Sequence, residues 1–186
     1  MRPSFKHIGL IIGVVLTFVS FLFFGRKQDT YQVLFICGFV TALIFYFAIL
    51  FGKGSLATKL FWTVAVVVCA AVQQLTEPFL IGASYRIYFN QNKNTLTEIN
   101  NILIEKQGNI TILNDSISKG DQLTTLESNK LREGRKKSGV YLIAKSDNGV
   151  YYELWGFLDV RLGLTYFTGK TKPDSSYRHL TGNWYY

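Results

Sequence analysis

The stretch from Tyr31 to Phe51, YQVLFICGFVTALIFYFAILF, contains no charged side chain. As an α-helix it is about 32 Å long, which matches the hydrocarbon core of a bilayer. Tyr31 stands at one end and Tyr46 lies near the other, as aromatic residues do at membrane interfaces. We therefore predict a membrane-spanning helix over residues 31–51.

A shorter apolar segment precedes this helix, over residues 8–24 (IGLIIGVVLTFVSFLFF). It has about the minimum length of a spanning helix. Arg2 and Lys6 come before it, so a secretory signal peptide is the alternative interpretation. Because Gly25-Arg26-Lys27 follows, and not a small-residue cleavage site, we predict an uncleaved first transmembrane helix.

The third apolar segment, residues 60–81 (LFWTVAVVVCAAVQQLTEPFLI), has a polar end. Gln73, Gln74 and Glu77 share one side of a helix, and Pro78 follows them. A carboxyl group at membrane depth is a candidate for holding a proton or cation, or for a polar contact in an oligomer. Alternatively, Glu77 lies at the interface and reaches the headgroups while the glutamines bond a neighbouring helix. We favour the interfacial interpretation and predict a transmembrane region over residues 1–84.

The rest of the chain is polar and carries charges of both signs. We predict a juxtamembrane helix over residues 85–107, bent or interrupted at the polar run 90–94, and a small soluble α+β domain over residues 108–186. Two β-rich runs, 139–145 and 150–157, enclose Asp147-Asn148-Gly149, the strongest short hairpin signal in the chain. The predicted fold is thus three transmembrane α-helices followed by a small α+β domain with an antiparallel β-meander.

The remaining elements of this domain follow from the same patterns. We predict strands over 109–113 and 161–168, a short helix over 121–133 that ends at Gly134, a loop over 170–179 and an edge strand over 180–186. Helices should cover one face of the sheet.

Composition excludes several classes of function. The net charge is +8, but lysine and arginine flanking apolar segments suit lipid headgroups, so nucleic acid is not an expected partner. Cys37 and Cys69 lie in apolar segments, which leaves the polar domain without a disulfide framework or a thiolate metal site. We expect no metal and no cofactor.

A basic cluster precedes the predicted hairpin, formed by Arg132, Arg135, Lys136 and Lys137. Four cations within six residues are suited to phosphate, anionic lipid or an acidic partner. The alternative interpretation is a solvated turn, partly neutralised by Glu133.

The polar domain is also rich in aromatic residues, most of which should pair across strands or enter the core. The terminal Trp184, Tyr185 and Tyr186 are the candidates for an interaction surface, because Tyr and Trp are favoured at interfaces.

Catalytic constellations are absent from the sequence pattern. His7 and His179 are the two histidines, and the grouping of His179 with Asp174 and Ser175 lies in a predicted loop with nothing to hold it. No glycine-rich phosphate loop and no metal-ligand spacing occurs. We expect a protein that is not an enzyme.

The flanking charges predict an orientation. Arg2, Lys6, Lys53 and Lys59 fall on one side of a three-helix arrangement, and Arg26 and Lys27 on the other. The positive-inside rule then places the N-terminus in the cytoplasm and the C-terminal domain outside, although adding Arg86 and Lys93 makes the count equal.

These observations lead to three functional hypotheses. The first is a non-enzymatic integral membrane protein that presents its domain for protein or ligand binding, as an accessory subunit, an immunity-type inhibitor or a sensor. The expected partners are the lipid bilayer and a protein partner or a second copy of the chain. The second hypothesis is a membrane effector whose cytoplasmic ligand-sensing domain makes it oligomerise or perturb the bilayer. The third is a small channel or transporter subunit that uses Glu77.

Overall fold

A computed structural model describes residues 4–25, 27–118, 123–157, 160–169 and 173–186. Arg2, Arg26, part of the predicted loop 170–179 and the start of the predicted helix 121–133 lie outside these ranges. The chain divides into two compact units, Met1–Ser84 and Tyr85–Tyr186.

The first unit is helical. It contains α1 (Phe5–Ser20), a short 3₁₀ turn (Phe21–Phe23), α2 (Gln28–Leu50) and the beginning of α3 (Leu56–Ile104). The described residues include three helices that are long and apolar enough to cross a membrane, α1 with its 3₁₀ turn, α2 and α3. Such helices indicate a membrane protein, because a soluble unit of this size would bury these apolar faces.

Small residues bring α1 and α2 into close contact. A Cβ added at Gly13 would lie 2.4 Å from the backbone nitrogen of Ala42, and one added at Gly38 would lie 2.7 Å from the nitrogen of Thr17. The ring of Phe45 likewise occupies the space beside Gly9, where an added Cβ would lie 2.4 Å from its Cδ2. This is the small-residue packing of membrane helices, in which the missing side chains let two backbones approach.

Helix α3 is longer than the sequence pattern predicts. The predicted interruption at residues 90–94 is wrong, because a single helix runs from Leu56 to Ile104 with Pro78 inside it. Asn90, Lys93 and Asn94 are exposed, whereas Phe89 and Leu96 on either side of this run are buried. Packing at the buried positions outweighs the weak helix propensity of the asparagines.

The second unit contains a seven-stranded antiparallel sheet. Its elements after α3 are β1 (Ile110–Leu113), β2 (Ser116–Ser118), α4 (Thr125–Ser138), β3 (Leu142–Ser146), β4 (Gly149–Phe157), β5 (Val160–Phe167), β6 (His179–Thr181) and β7 (Trp184–Tyr185). The strand order is β2-β1-β3-β4-β5-β7-β6. Helices followed by an antiparallel sheet, and the β3–β4 hairpin, are confirmed.

Three details of this unit differ from the predictions. Strand β2 was not predicted, and the closing residues form a β6–β7 hairpin where one edge strand was expected. Helix α4 passes through Gly134 and ends at Ser138, capped by Gly139 with φ of 70°. Gly134 faces Ile99, whose Cδ1 would lie 3.0 Å from an added Cβ, so the close packing of α4 at this position favours glycine inside the helix.

The core of the second unit lies between the sheet and α3. Leu96, Ile99 and Leu103 of α3 are almost fully buried, as are Tyr152 and Leu164 of the sheet. The Tyr152 hydroxyl donates a 2.6 Å hydrogen bond to Oδ1 of Asn100, so this buried polar pair is satisfied.

Candidate functional site

A groove of about 710 Å³ lies in the second unit between α3 and the β6–β7 hairpin. From α3 it is lined by Arg86, Phe89, Asn90, Lys93 and Thr97. From the sheet and the hairpin it is lined by Tyr166, Leu180, Thr181, Gly182, Asn183 and Trp184. We call it the α3 groove. Its size is within the range of small-molecule sites.

The helical wall of the α3 groove is one polar face of α3. Arg86, Asn90, Lys93 and Thr97 are spaced four, three and four residues apart, and all four are exposed. The neighbouring face carries buried residues such as Leu96 and packs into the core, so α3 is held while its polar side chains remain free to contact a ligand.

Aromatic residues form the floor of the groove. Trp184 pairs with Tyr166 between β7 and β5, and its side chain is only 6% exposed. The centroid of the Trp184 ring lies 5.1 Å from that of Phe89, 5.2 Å from that of Tyr166 and 5.4 Å from that of Tyr152. Phe89, Tyr166 and Trp184 line the groove, and the buried Tyr152 ring packs against Trp184 from the core. Aromatic pairs at these distances stabilise one arrangement, so the floor is rigid.

The electrostatics of the groove favour an anion. The side chains of Arg86 and Lys93 make no hydrogen bond or ion pair with any residue that the structure describes. None of the described lining residues is acidic. A guanidinium and an ammonium group therefore face the groove with their donors unused, beside the amides of Asn90 and Asn183.

The predicted basic cluster lies in the last turns of α4. Nε of Arg132 donates to the Asp115 carbonyl at 2.9 Å, and Nη1 of Arg135 donates to the Val140 carbonyl at 3.0 Å. Nζ of Lys136 lies 2.8 Å from Oδ1 of Asp115 and, mainly through this hydrogen bond, holds the pKa of that carboxyl below its usual range. Cations at a helix C-terminus also interact favourably with the helix dipole, so three members of the cluster have structural roles.

Lys137, the fourth member of the basic cluster, is exposed and has no partner within the described part of the chain. The structure thus leaves one free ammonium group on α4, whereas the α3 groove combines two free cations with a concave surface. Binding at the cluster stays a prediction.

The three terminal aromatic residues are not equivalent. Trp184 belongs to the floor of the α3 groove, as described above. The half-buried Tyr185 packs edge-on against Phe167, and Tyr186 stacks on Tyr85 with centroids 4.8 Å apart. Their rings mainly hold the β6–β7 hairpin in place, and only Trp184 of the three lines the groove.

Gln73, Gln74 and Glu77, the polar residues of the third apolar segment, lie in different environments. Gln73 lines a cavity of about 130 Å³ among the three helices of the first unit, whereas Gln74 is exposed. Glu77 lies within electrostatic range of Tyr31, in the first turn of α2.

The same end of the first unit carries a hydrogen bond of 2.8 Å from the Gly25 amide to the Ser84 hydroxyl. Glu77 is therefore near the end of the helices where α1 stops and α2 starts. This position supports the interfacial interpretation of Glu77, which stays a prediction.

Among the described residues, no hydrogen bond links His179, Asp174 and Ser175. The Asp174 carboxylate accepts hydrogen bonds from the amide and hydroxyl of Ser176, and the His179 ring contacts the Gly182 carbonyl at 2.9 Å. Within the described ranges, no group of three or more His, Cys, Asp and Glu residues could hold a metal ion.

The chain matches no protein-family model, no curated protein and no solved structure. The α3 groove must therefore be judged on its own residues. In the sequence, Arg86 and Lys93 stand out only as charges that follow the third apolar segment. Their spacing with Asn90 and Thr97 was the signal that could have identified a polar helix face, but the expected interruption at residues 90–94 hid it.

Proposed function

We propose that the chain is a non-enzymatic integral membrane protein, in which three N-terminal helices anchor an α+β domain whose α3 groove binds an anionic ligand. The observation that carries this proposal is the pair of unpartnered cations, Arg86 and Lys93, above the aromatic floor formed around Trp184. A non-catalytic recognition surface of this kind is compatible with an accessory subunit, an immunity-type inhibitor or a sensor.

The spacing of the cations defines the class of ligand. Arg86 and Lys93 are seven positions apart in the sequence, which corresponds to about 10 Å along an α-helix. Because Arg and Lys side chains are long and flexible, their charged ends can converge from this backbone separation on two linked phosphates or carboxylates of one small molecule. Asn90 lies between the cations and offers an amide donor to the same ligand.

Calorimetric titration of the full-length protein in detergent with inorganic pyrophosphate tests the proposal. Arg86→Gln and Lys93→Gln should each weaken binding about tenfold, because each removes a charge-assisted hydrogen bond. Lys137→Gln removes the same charge from α4 and should leave the affinity unchanged. Equal losses in all three variants would show only general charge attraction, and a loss confined to Lys137→Gln would assign the anion to the basic cluster.

We also propose that the N-terminus is cytoplasmic and that the α3 groove faces the outside. The support is the distribution of lysine and arginine around the apolar segments. A reporter enzyme fused after Tyr186 that is active only outside the cytoplasm should be active. Activity of a cytoplasm-dependent reporter at the same position would instead favour the membrane effector with a cytoplasmic sensing domain.

A further inference from the structure

A second basic cavity lies in the first unit, where α1 begins and the loop between α2 and α3 passes. Its volume is about 270 Å³, and its basic lining residues are Lys6, His7, Lys53 and Lys59. We propose that this cavity binds the phosphate group of an anionic glycerophospholipid. The proposal is independent of the α3 groove, which belongs to the other unit.

The positive charge of this cavity is not neutralised nearby. None of its described lining residues is acidic, and the first acidic residue of the chain, Asp29, lies in the first turn of α2. The cavity uses the opposite end of that helix, about 30 Å away along its axis. Glu77, the next acidic residue in the sequence, lies on α3 near Tyr31, and Tyr31 belongs to the first turn of α2. Both acidic residues are therefore at the end of α2 that is far from the cavity. Because no acidic side chain that the structure describes neutralises the three ammonium groups of this cavity, they favour the binding of an external anion.

One lysine of the cavity is held in place. Nζ of Lys6 donates a 3.1 Å hydrogen bond to the Ala48 carbonyl near the end of α2. Gly52 permits this approach, since an added Cβ would lie 3.0 Å from Nζ of Lys6. An ammonium group has three donors, so two remain for a phosphate oxygen.

The surroundings of the cavity are suited to a lipid. Phe5, Phe51 and Leu56 directly flank its lysine-bearing segments in sequence and are 77%, 81% and 74% exposed. His7 stacks on Trp62 with ring centroids 4.7 Å apart, which places an indole beside the basic lining. Large exposed apolar groups next to cations offer acyl chains a surface while the lysines bind the headgroup.

Lipid retention by the full-length protein, measured by native mass spectrometry from a neutral detergent, tests this site. Palmitoyl-oleoyl phosphatidylglycerol should bind in preference to palmitoyl-oleoyl phosphatidylcholine. The double variant Lys53→Gln/Lys59→Gln should weaken phosphatidylglycerol binding about 25-fold, at about fivefold for each lysine. The double variant Lys53→Arg/Lys59→Arg keeps both positive charges and should retain phosphatidylglycerol binding. This control separates an effect of lost charge from an effect of substitution on the fold.

The matched control is Lys27→Gln, at the start of α2, which should bind phosphatidylglycerol as the parent does. Equal binding of the two lipids, or equal losses in Lys27→Gln and the double variant, would overturn the proposal. Soluble glycerol 3-phosphate distinguishes the two sources of phosphate. If it displaces the lipid at equal concentration, the acyl chains contribute nothing and the lipid assignment is wrong.

Discussion

At the scale of single residues, buried tyrosine hydroxyls hold the second unit together. Tyr152 is fully buried, and its hydroxyl reaches Asn100 at 2.6 Å and the Leu96 carbonyl at 3.3 Å. Burial raises the pKa of Tyr152 well above its ordinary value. A neutral donor is therefore kept beside two acceptors, and the sheet is joined to α3 by polar contacts as well as by packing.

Tyr152→Phe should lower the free energy of unfolding by about 1–3 kcal/mol, because Oδ1 of Asn100 would stay buried without its donor. Chemical denaturation of the full-length protein, followed by near-ultraviolet circular dichroism, measures this. Tyr141→Phe is the matched control, since Tyr141 is 53% exposed. Equal effects of the two substitutions would contradict the role of this hydrogen bond.

Glu127 makes the stability of α4 dependent on pH. Its carboxylate lies 2.7 Å from Nζ of Lys106 and accepts a 2.8 Å hydrogen bond from the Thr124 amide. Chiefly through Lys106 and then Thr124, these contacts lower the pKa of Glu127 to about 2. Because the folded pKa is below the unfolded one, the stabilisation is present above about pH 4.3 and is lost as the pH falls towards 2.

We therefore expect hydrogen exchange at the first turn of α4 to accelerate as the pH falls from about 4.3 to 2, after correction for intrinsic rates. Glu127→Gln should remove this pH dependence. Glu133→Gln, on an exposed position of the same helix, should preserve it. A parent profile that does not change over this window would refute the expected contribution.

At the scale of elements, the contact between α1 and α2 depends on the absence of side chains. Gly13→Ala should destabilise the first unit by about 1–3 kcal/mol, because the added methyl group would overpack against the backbone of Ala42. The higher helix propensity of alanine would offset up to about 1 kcal/mol of this loss. Thermal unfolding in detergent measures the balance.

Gly54→Ala is the control for this substitution, because nothing lies within 4 Å of a Cβ added at Gly54. If Gly13→Ala melts at or above the melting temperature of the parent, the close contact between α1 and α2 does not require glycine at this position and the prediction is wrong.

At the scale of the whole molecule, exposed apolar side chains on α2 and α3 determine behaviour in the cell. Val33, Ile36, Val64, Val67 and Phe79 are each at least 58% exposed. We expect the full-length protein to stay in the membrane fraction after washing at pH 11 and to dissolve only with detergent, since three spanning helices are not released by charge repulsion. Release by the alkaline wash would contradict membrane insertion.

Local patterns predicted much of the fold because they report local physics. An uncharged run such as residues 31–51 has few alternatives to a long apolar helix, and Asn148-Gly149 between β-rich runs specifies a tight hairpin. The same reasoning failed at residues 90–94 and at Gly134, where packing against buried side chains overrides local propensity.

The candidate site could be predicted only in part. The sequence identified Trp184 as an interaction candidate, but its position in the floor of the α3 groove depends on the pairing of β7 with β5. Arg86 and Lys93 become a pair only once α3 is known to be continuous. The basic cluster of α4 was visible in the sequence, yet hydrogen bonds to Asp115 and Val140 engage three of its four members.

By itself, the sequence determined the apolar helices, the polar second half and the antiparallel character of its strands, because hydrophobic length and period act over a few residues. Only the tertiary structure decided which cations are free, which aromatic rings are buried and where a groove opens. Those properties depend on residues far apart in the chain, such as Phe89 and Trp184, meeting across a packed core.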